Sequence, residues 1–295
     1  MPGCTVSSGA SRTSLLTLLA LGAFAANSIL CRLALGGHTI DAANFTSVRL
    51  IAGAITLYAL LRGRRAIARL PGTWRTAGML ALYAVPFSFA YLSLTAGTGA
   101  LLLYGAVQLT MLATALWSGE RPSLWQWSGV VLALAGLIYL VLPGVSAPPL
   151  GAALLMVLAG VAWGIYSLLG RGSADPLGET AGNFARAVPF AIAVSLMTIR
   201  DVHVRPTGLL LAIASGAVAS GLGYVIWYAA LRTLRGFAAA IVQLAVPVLA
   251  AGGGVLLLGE RITIRLVLGG VLVLGGIALA LAGRSLPAGR SRAAQ

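Results

Sequence analysis

The sequence predicts an all-α integral membrane protein, with ten transmembrane helices arranged as two inverted five-helix repeats. Three observations predict it. The first is composition: of 295 residues, 59% are hydrophobic and only 9% are charged. A soluble domain carries about 25% charged residues, so this chain lacks the polar groups to cover itself in water. The second is a series of apolar runs, each near the ~20 residues that a spanning helix needs. The third is an internal repeat.

Gly119 to Val141 reads GERPSLWQWSGVVLALAGLIYLV, and 140 positions later Gly259 to Leu281 reads GERITIRLVLGGVLVLGGIALAL. The match is ungapped. It keeps Gly-Glu-Arg, and it sets Gly129 and Gly136 against Gly269 and Gly276. A fixed internal period marks a duplicated unit. The expected division is residues 1–145 as the first five-helix repeat and 146–284 as the second, inverted one. Residues 285–295 form a basic cytoplasmic tail.

Residues 1–12 are polar and read as disordered. The first apolar run, 14–35, contains an Ala23-Phe24-Ala25 box like a signal-cleavage site, but it continues past that box and reads as a retained helix. Runs at 43–62, 74–95, 98–117 and 123–142 complete the first half. Runs at 149–170, 178–199, 207–231, 234–258 and 263–283 form the second. Gly36-Gly37, Pro71-Gly72, Pro122, Pro143-Gly144, Pro176, Pro206 and Gly236 separate them. No linker is long enough to hold another domain.

All 20 basic residues are arginine. With the N-terminus placed in the cytoplasm, 13 of them fall in inside segments and 4 outside, while Arg32, Arg49 and Arg186 lie within spans. The positive-inside rule therefore puts both termini in the cytoplasm. Five spans per half is an odd number, so the second half enters the membrane upside down, a recurring construction in secondary transporters.

Several function classes are excluded or disfavoured. The net charge of +14 is spread between apolar runs and forms no polar domain, which argues against nucleic acid. Without lysine there is no P-loop. Cys4, Cys31, His38 and His203 have no metal-ligand spacing, so no metal and no cofactor is expected. A membrane enzyme would want clustered acids and histidines, and the chain has six acidic residues in all, so no enzyme is expected. A channel would usually need a ring of subunits, whereas a duplicated chain can close on itself, here as a monomer.

Ten spans in two halves, an arginine in the second span of each (Arg49 and Arg186), and Gly-Glu before the last span of each (Glu120 and Glu260) resemble the drug/metabolite transporter superfamily. The nearest group is its EamA-type proteins. Pro247, ahead of Glu260, also fits, while Val107 stands where the first half would have its proline. Asn27-Ser28, the aromatic residues and the length look most like the YddG aromatic amino-acid exporters. The resemblance implies a bacterial inner-membrane exporter of amino acids, particularly aromatic or other apolar ones. Drugs or other metabolites are the alternative cargo.

An unpaired amide in hydrocarbon is costly, so Asn27, Gln108 and Gln243 should face the interior or a cavity. Tyr104 is four residues before Gln108 and shares its face. Trp163 with Tyr166, and Tyr224 with Tyr228 and Trp227, are similarly spaced. The expected substrate-binding residues are Asn27, Tyr104, Gln108, Trp163, Tyr224, Trp227 and Gln243. Helix–helix bonding and core packing would leave the same pattern. Arg49 and Arg186 can snorkel or bond backbone carbonyls. Glu120 and Glu260 suit the positive end of the helix that follows them, or a gate. Gly160-x-x-x-Gly164 allows close helix packing. Pro86 and Pro247 offer bending points. Trp117, Trp125 and Trp127 read as interfacial anchors. With no fixed carboxylate at its site, the carrier should prefer neutral or zwitterionic solutes. With no Asp, Glu or His in mid-span, it should run down the solute's own gradient.

Overall fold

Residues 6–62, 70–117, 123–144, 147–170, 173–231 and 242–285 are described by a computed structural model. Eight helices are long and apolar enough to cross a membrane, and the apolar Ala245–Leu258 is shorter. The first half holds α1 (Val6–Gly36), α2 (Ala42–Arg62), α3 (Trp74–Ala90), α4 (Ala96–Trp117) and α5 (Leu124–Val141). The second holds α6 (Leu150–Leu169) and α7 (Pro176–Met197). Next comes one continuous rod of α8 (Pro206–Ala214), a π-helical stretch (Ser215–Leu222) and α9 (Gly223–Leu231). It closes with α10 (Ala245–Leu258) and α11 (Ile264–Ser285). No strand is present among the described residues, apart from a single bridge between Ile40 and Val204.

Local chemistry sets the helix ends. Thr73 with Thr76, and Ser123 with Gln126, form capping boxes for α3 and α5. Asp175 caps α7 through the Gly178 N–H, ahead of Pro176 at the first helical position. Asp41 accepts from the Asn44 N–H at the start of α2. Gly259, at φ 64°, supplies the left-handed residue that ends α10.

Two expectations are corrected. The helix α1 reaches back to Val6, into residues read as disordered, because no proline interrupts it and each added residue gains a backbone bond. The third span ends at Ala90 rather than 95, where the Tyr91 N–H turns onto the Phe87 and Ser88 carbonyls. Pro247 lies in the first turn of α10, three residues after the turn at Leu244 that parts this helix from the helical Val242 and Gln243. Glu120 and most of the basic tail lie outside the described residues.

Helix packing pairs the halves. α5 packs on α11, α2 on α7, and α4 on α10. α3 packs on α6 as α1 packs on the α8–α9 rod, and α4 on α6 as α1 on α10. At the α5–α11 crossing, a Cβ on Gly136 would meet the Val273 nitrogen at 2.8 Å, and one on Gly276 would meet the Ala133 nitrogen at 2.5 Å. Those two contacts are the same contact displaced by 140 residues. Gly160 likewise sits on the Leu103 carbonyl of α4, with Gly164 against Thr110. Large apolar side chains face outward, Leu124 and Leu256 each at 84% exposure, as a bilayer requires. Trp117, Trp125 and Trp127 are also exposed. The protein is an all-α integral membrane protein.

Candidate functional site

A small cavity lies between the halves. From the first half it is lined by Phe24, Asn27 and Ser28 of α1, Tyr83 and Phe87 of α3, and Leu103 and Tyr104 of α4. From the second it is lined by Trp163 of α6, Ala219 and Ser220 of the π-helical stretch, and Tyr224 of α9. The rings press together. Trp163 lies 4.8 Å from Tyr83 and stacks on Tyr224 at 5.2 Å. The site is contracted, and a solute the size of an amino acid requires these rings to part.

Of the seven residues expected from sequence, Asn27, Tyr104, Trp163 and Tyr224 meet at this cavity. Gln108 is buried, one turn along α4 from Tyr104, and is not in the lining. Trp227 is buried behind the wall, edge-on to Phe24 at 5.8 Å and beside Ala20 and Ala230. Gln243 is half-buried just before α10, away from the lining.

Sequence reasoning missed the polar network at the cavity's edge. The Ser215 hydroxyl donates to Asn27 Oδ1 at 2.7 Å, and Asn27 Nδ2 donates to Tyr83 Oη at 3.3 Å. Arg49 donates to the same Tyr83 oxygen at 2.9 Å and to Ser220 Oγ at 3.3 Å. Its guanidinium carbon lies 5.2 Å from the Tyr83 ring centre and 4.9 Å from that of Phe87. The π-helical stretch makes this possible. Its wider i→i+5 repeat brings Ser215 and Ser220 to one network, whereas an α-helix would turn them apart. A signal was present in the sequence: Ser-Gly occurs at 215–216 and again five residues later at 220–221. Gly216 also lets this stretch touch the α2 backbone at the Arg49 carbonyl.

Both ends of the bundle are fastened. At one end, Arg32 pairs with Glu260 at 3.3 Å and donates to the Tyr91 and Leu92 carbonyls. Glu260 also accepts from the Ala96 N–H at 2.9 Å. The expectation that Glu260 caps the helix after it is corrected. It caps α4, because the turn at Gly259 swings its carboxylate back onto the Ala96 N–H, the first amide of that helix. At the other end, Arg186 donates to the Pro71 and Leu70 carbonyls at 3.0 and 3.1 Å. Asn183 Oδ1 accepts from Thr76 Oγ1 at 2.6 Å and from the Thr73 N–H at 3.3 Å. A second small cavity lies at that end, lined in part by Tyr166, Glu179, Thr180, Asn183 and Tyr228. Tyr166 stacks on Trp163, so one aromatic pair stands between the two spaces. No group of three or more His, Cys, Asp or Glu that could hold a metal occurs among the described residues.

Comparison with known proteins places this architecture. An uncharacterized protein of Pseudomonas aeruginosa is 55% identical over 274 residues, covering 92% of this chain and 96% of its own. A solved crystal structure, titled only as that of a protein, matches with a TM-score of 0.64 over 90% of this chain and 97% of its own. At 21% identity it supports the fold alone. The model of the EamA-like transporter family matches residues 150–282, the stretch that carries α6 to α11. Residues 150–282 are thus similar to the EamA-like transporter family, which supports a place for the chain in the drug/metabolite transporter superfamily.

Proposed function

We propose that the protein is a secondary transporter that exports small neutral or zwitterionic organic solutes across the bacterial inner membrane. Aromatic and other apolar amino acids are its foremost cargo. The carrying observation is the aromatic cavity built from both halves and fastened at both ends. Opening one fastening while the other holds is what alternating access demands. The reciprocal contacts at 140-residue spacing support reading the halves, 1–145 and 146–284, as inverted repeats, with both termini in the cytoplasm. The cavity lining holds no Asp, Glu or His, which suits a carrier rather than an enzyme. Counterflow in proteoliposomes tests the proposal. Labelled phenylalanine, tryptophan or methionine should enter vesicles preloaded with the same unlabelled solute, at rates above protein-free controls. Uptake that ignores preloading would point to a channel and overturn the reading.

A further inference from the structure

We propose that Arg49 is an anion subsite of the central cavity. The substrates are then apolar or aromatic organic carboxylates whose carboxylate docks on Arg49 and the Tyr83 hydroxyl, with the amino group dispensable. This rests on the transport reading above and revises its cargo: zwitterionic amino acids remain, carboxylate anions join them, and neutral solutes drop out.

Arg49 is 1% exposed. Its guanidinium stays protonated, and burying a charge is costly unless it is paired. Yet both hydrogen-bond partners it has, Tyr83 and Ser220, are neutral hydroxyls. Its Nη1 is buried with no hydrogen-bond partner among the described residues. The ion pair found among those residues joins Arg32 to Glu260, and no carboxylate pairs with Arg49 there. The Tyr83 and Phe87 rings offset part of the charge. Both rings and Ser220 line the cavity, so the unmatched cation lies directly behind the lining, in contact with three of its side chains.

The neighbouring groups point the same way. Tyr83 Oη accepts from both Arg49 and Asn27, which leaves its own proton to donate. Asn27 Oδ1 is occupied by Ser215, an amide orientation assigned from the bonding network, so this amide faces Tyr83 as a donor. The polar side of the cavity therefore offers protons and positive charge, and its lining contains no acid. A carboxylate completes it, because its two oxygens match a guanidinium and a neighbouring hydroxyl. A substrate ammonium would find aromatic faces and neutral hydroxyls but no carboxylate in the lining. That is why the amino group adds little.

The test uses four probes of one skeleton: 3-phenylpropanoate, phenylalanine, 3-phenylpropanamide and phenethylamine. Each is measured twice, by counterflow in proteoliposomes of the full chain and by tryptophan-fluorescence change in detergent. The two carboxylates should exchange and bind. The amide and the amine should be weaker by about tenfold or more, the scale of one charged hydrogen bond. Arg49→Gln should erase this preference, and Arg49→Lys should retain part of it. Tyr83→Phe should weaken the carboxylates severalfold, and gel filtration confirms that each variant is folded. An amine or amide that matches the acids, or a preference that survives Arg49→Gln, overturns the subsite. Arg49-dependent carboxylate binding without exchange keeps the subsite and sinks the transport reading. Exchange without carboxylate preference does the reverse. No binding and no exchange removes both.

Discussion

Arg49 and Arg186 occupy the second helix of their respective halves, and the molecule uses them differently. Arg186 is half-buried and spends both terminal nitrogens on the Pro71 and Leu70 carbonyls. Carbonyl dipoles suit a guanidinium, so this arginine fastens the 70–73 segment to α7. Arg49 is buried, bonded to two hydroxyls, and left with an unmatched nitrogen beside the cavity. The same residue at matching positions is a staple in one half and an unsatisfied cation in the other. The difference teaches that a buried arginine's role is read from its partners. A cost to folding that nothing local repays is the mark of a ligand site.

The sharpest way to break this comparison is to neutralise each arginine and measure both activity and thermal midpoint. Arg49→Gln should lower carboxylate counterflow by about tenfold or more, the worth of one lost charged contact. Its midpoint should hold or rise, because an unpaired buried charge is removed. Arg186→Gln should lower the midpoint, since each charge-assisted bond it loses is worth about 1.5–3 kcal/mol. Its carboxylate-over-amide preference should stay. Equal falls in midpoint for the two variants would dissolve the distinction.

A second variant probes the stapled end through its backbone. Gly182 of α7 lies directly on the Pro71 carbonyl, with no room for a Cβ, and Gly72 beside it holds φ at 102°. Gly182→Ala must push the 70–73 segment away, which should cost about 1–3 kcal/mol by analogy with overpacked cores. The check is the thermal midpoint together with faster proteolysis near residue 70. An unchanged midpoint would mean that the staple does not hold this end shut.

A smaller effect sharpens the other member of the pair. Ser220 gives Arg49 one hydroxyl acceptor at 3.3 Å and lies on the cavity wall. Ser220→Ala should weaken carboxylate exchange by roughly fivefold, or about 1 kcal/mol, the net worth of an ordinary hydrogen bond. Phenethylamine, which the proposal keeps off Arg49, should be unaffected. Parallel losses for both probes would assign Ser220 to helix packing instead.

How much of this was legible in the sequence follows from periodicity. The ten apolar runs and the 140-residue repeat were readable because membrane thickness and duplication both leave regular marks. Asn27, Tyr104, Trp163 and Tyr224 were readable as polar or amphipathic side chains where hydrocarbon disfavours them. Tyr83 and Phe87 were not. They are four apart and share a face, but they sit in an α3 full of aromatic and small residues, where that spacing also fits core packing. Ser215 and Ser220 were hidden for a different reason: their five-residue spacing suits a π-helix, and an α-helical reading turns them to different faces. Trp227 follows Tyr224 by three residues, and that offset is enough to carry its ring behind the wall to Phe24.

The smallest expected effect is none at all, and it concerns the driving force. Coupling to protons needs a group that changes charge as the site turns over. Among the described residues, the lining of the central cavity holds no such group, and Arg49 behind it stays protonated through the physiological range. Glu260 is engaged at the far end with Arg32 and the Ala96 N–H. Glu179 is the exception to examine, since it lines the second cavity beside Tyr166 and Tyr228. It belongs to the first turn of α7. An imposed pH difference, with equal solute on both sides of the proteoliposome, should therefore drive no net accumulation. Accumulation that a protonophore abolishes would overturn the exchanger reading. If Glu179→Gln then removed it while counterflow persisted, the coupling would lie in the second cavity, at the Arg186 end. The anion subsite at Arg49 would then bind substrate without carrying the proton.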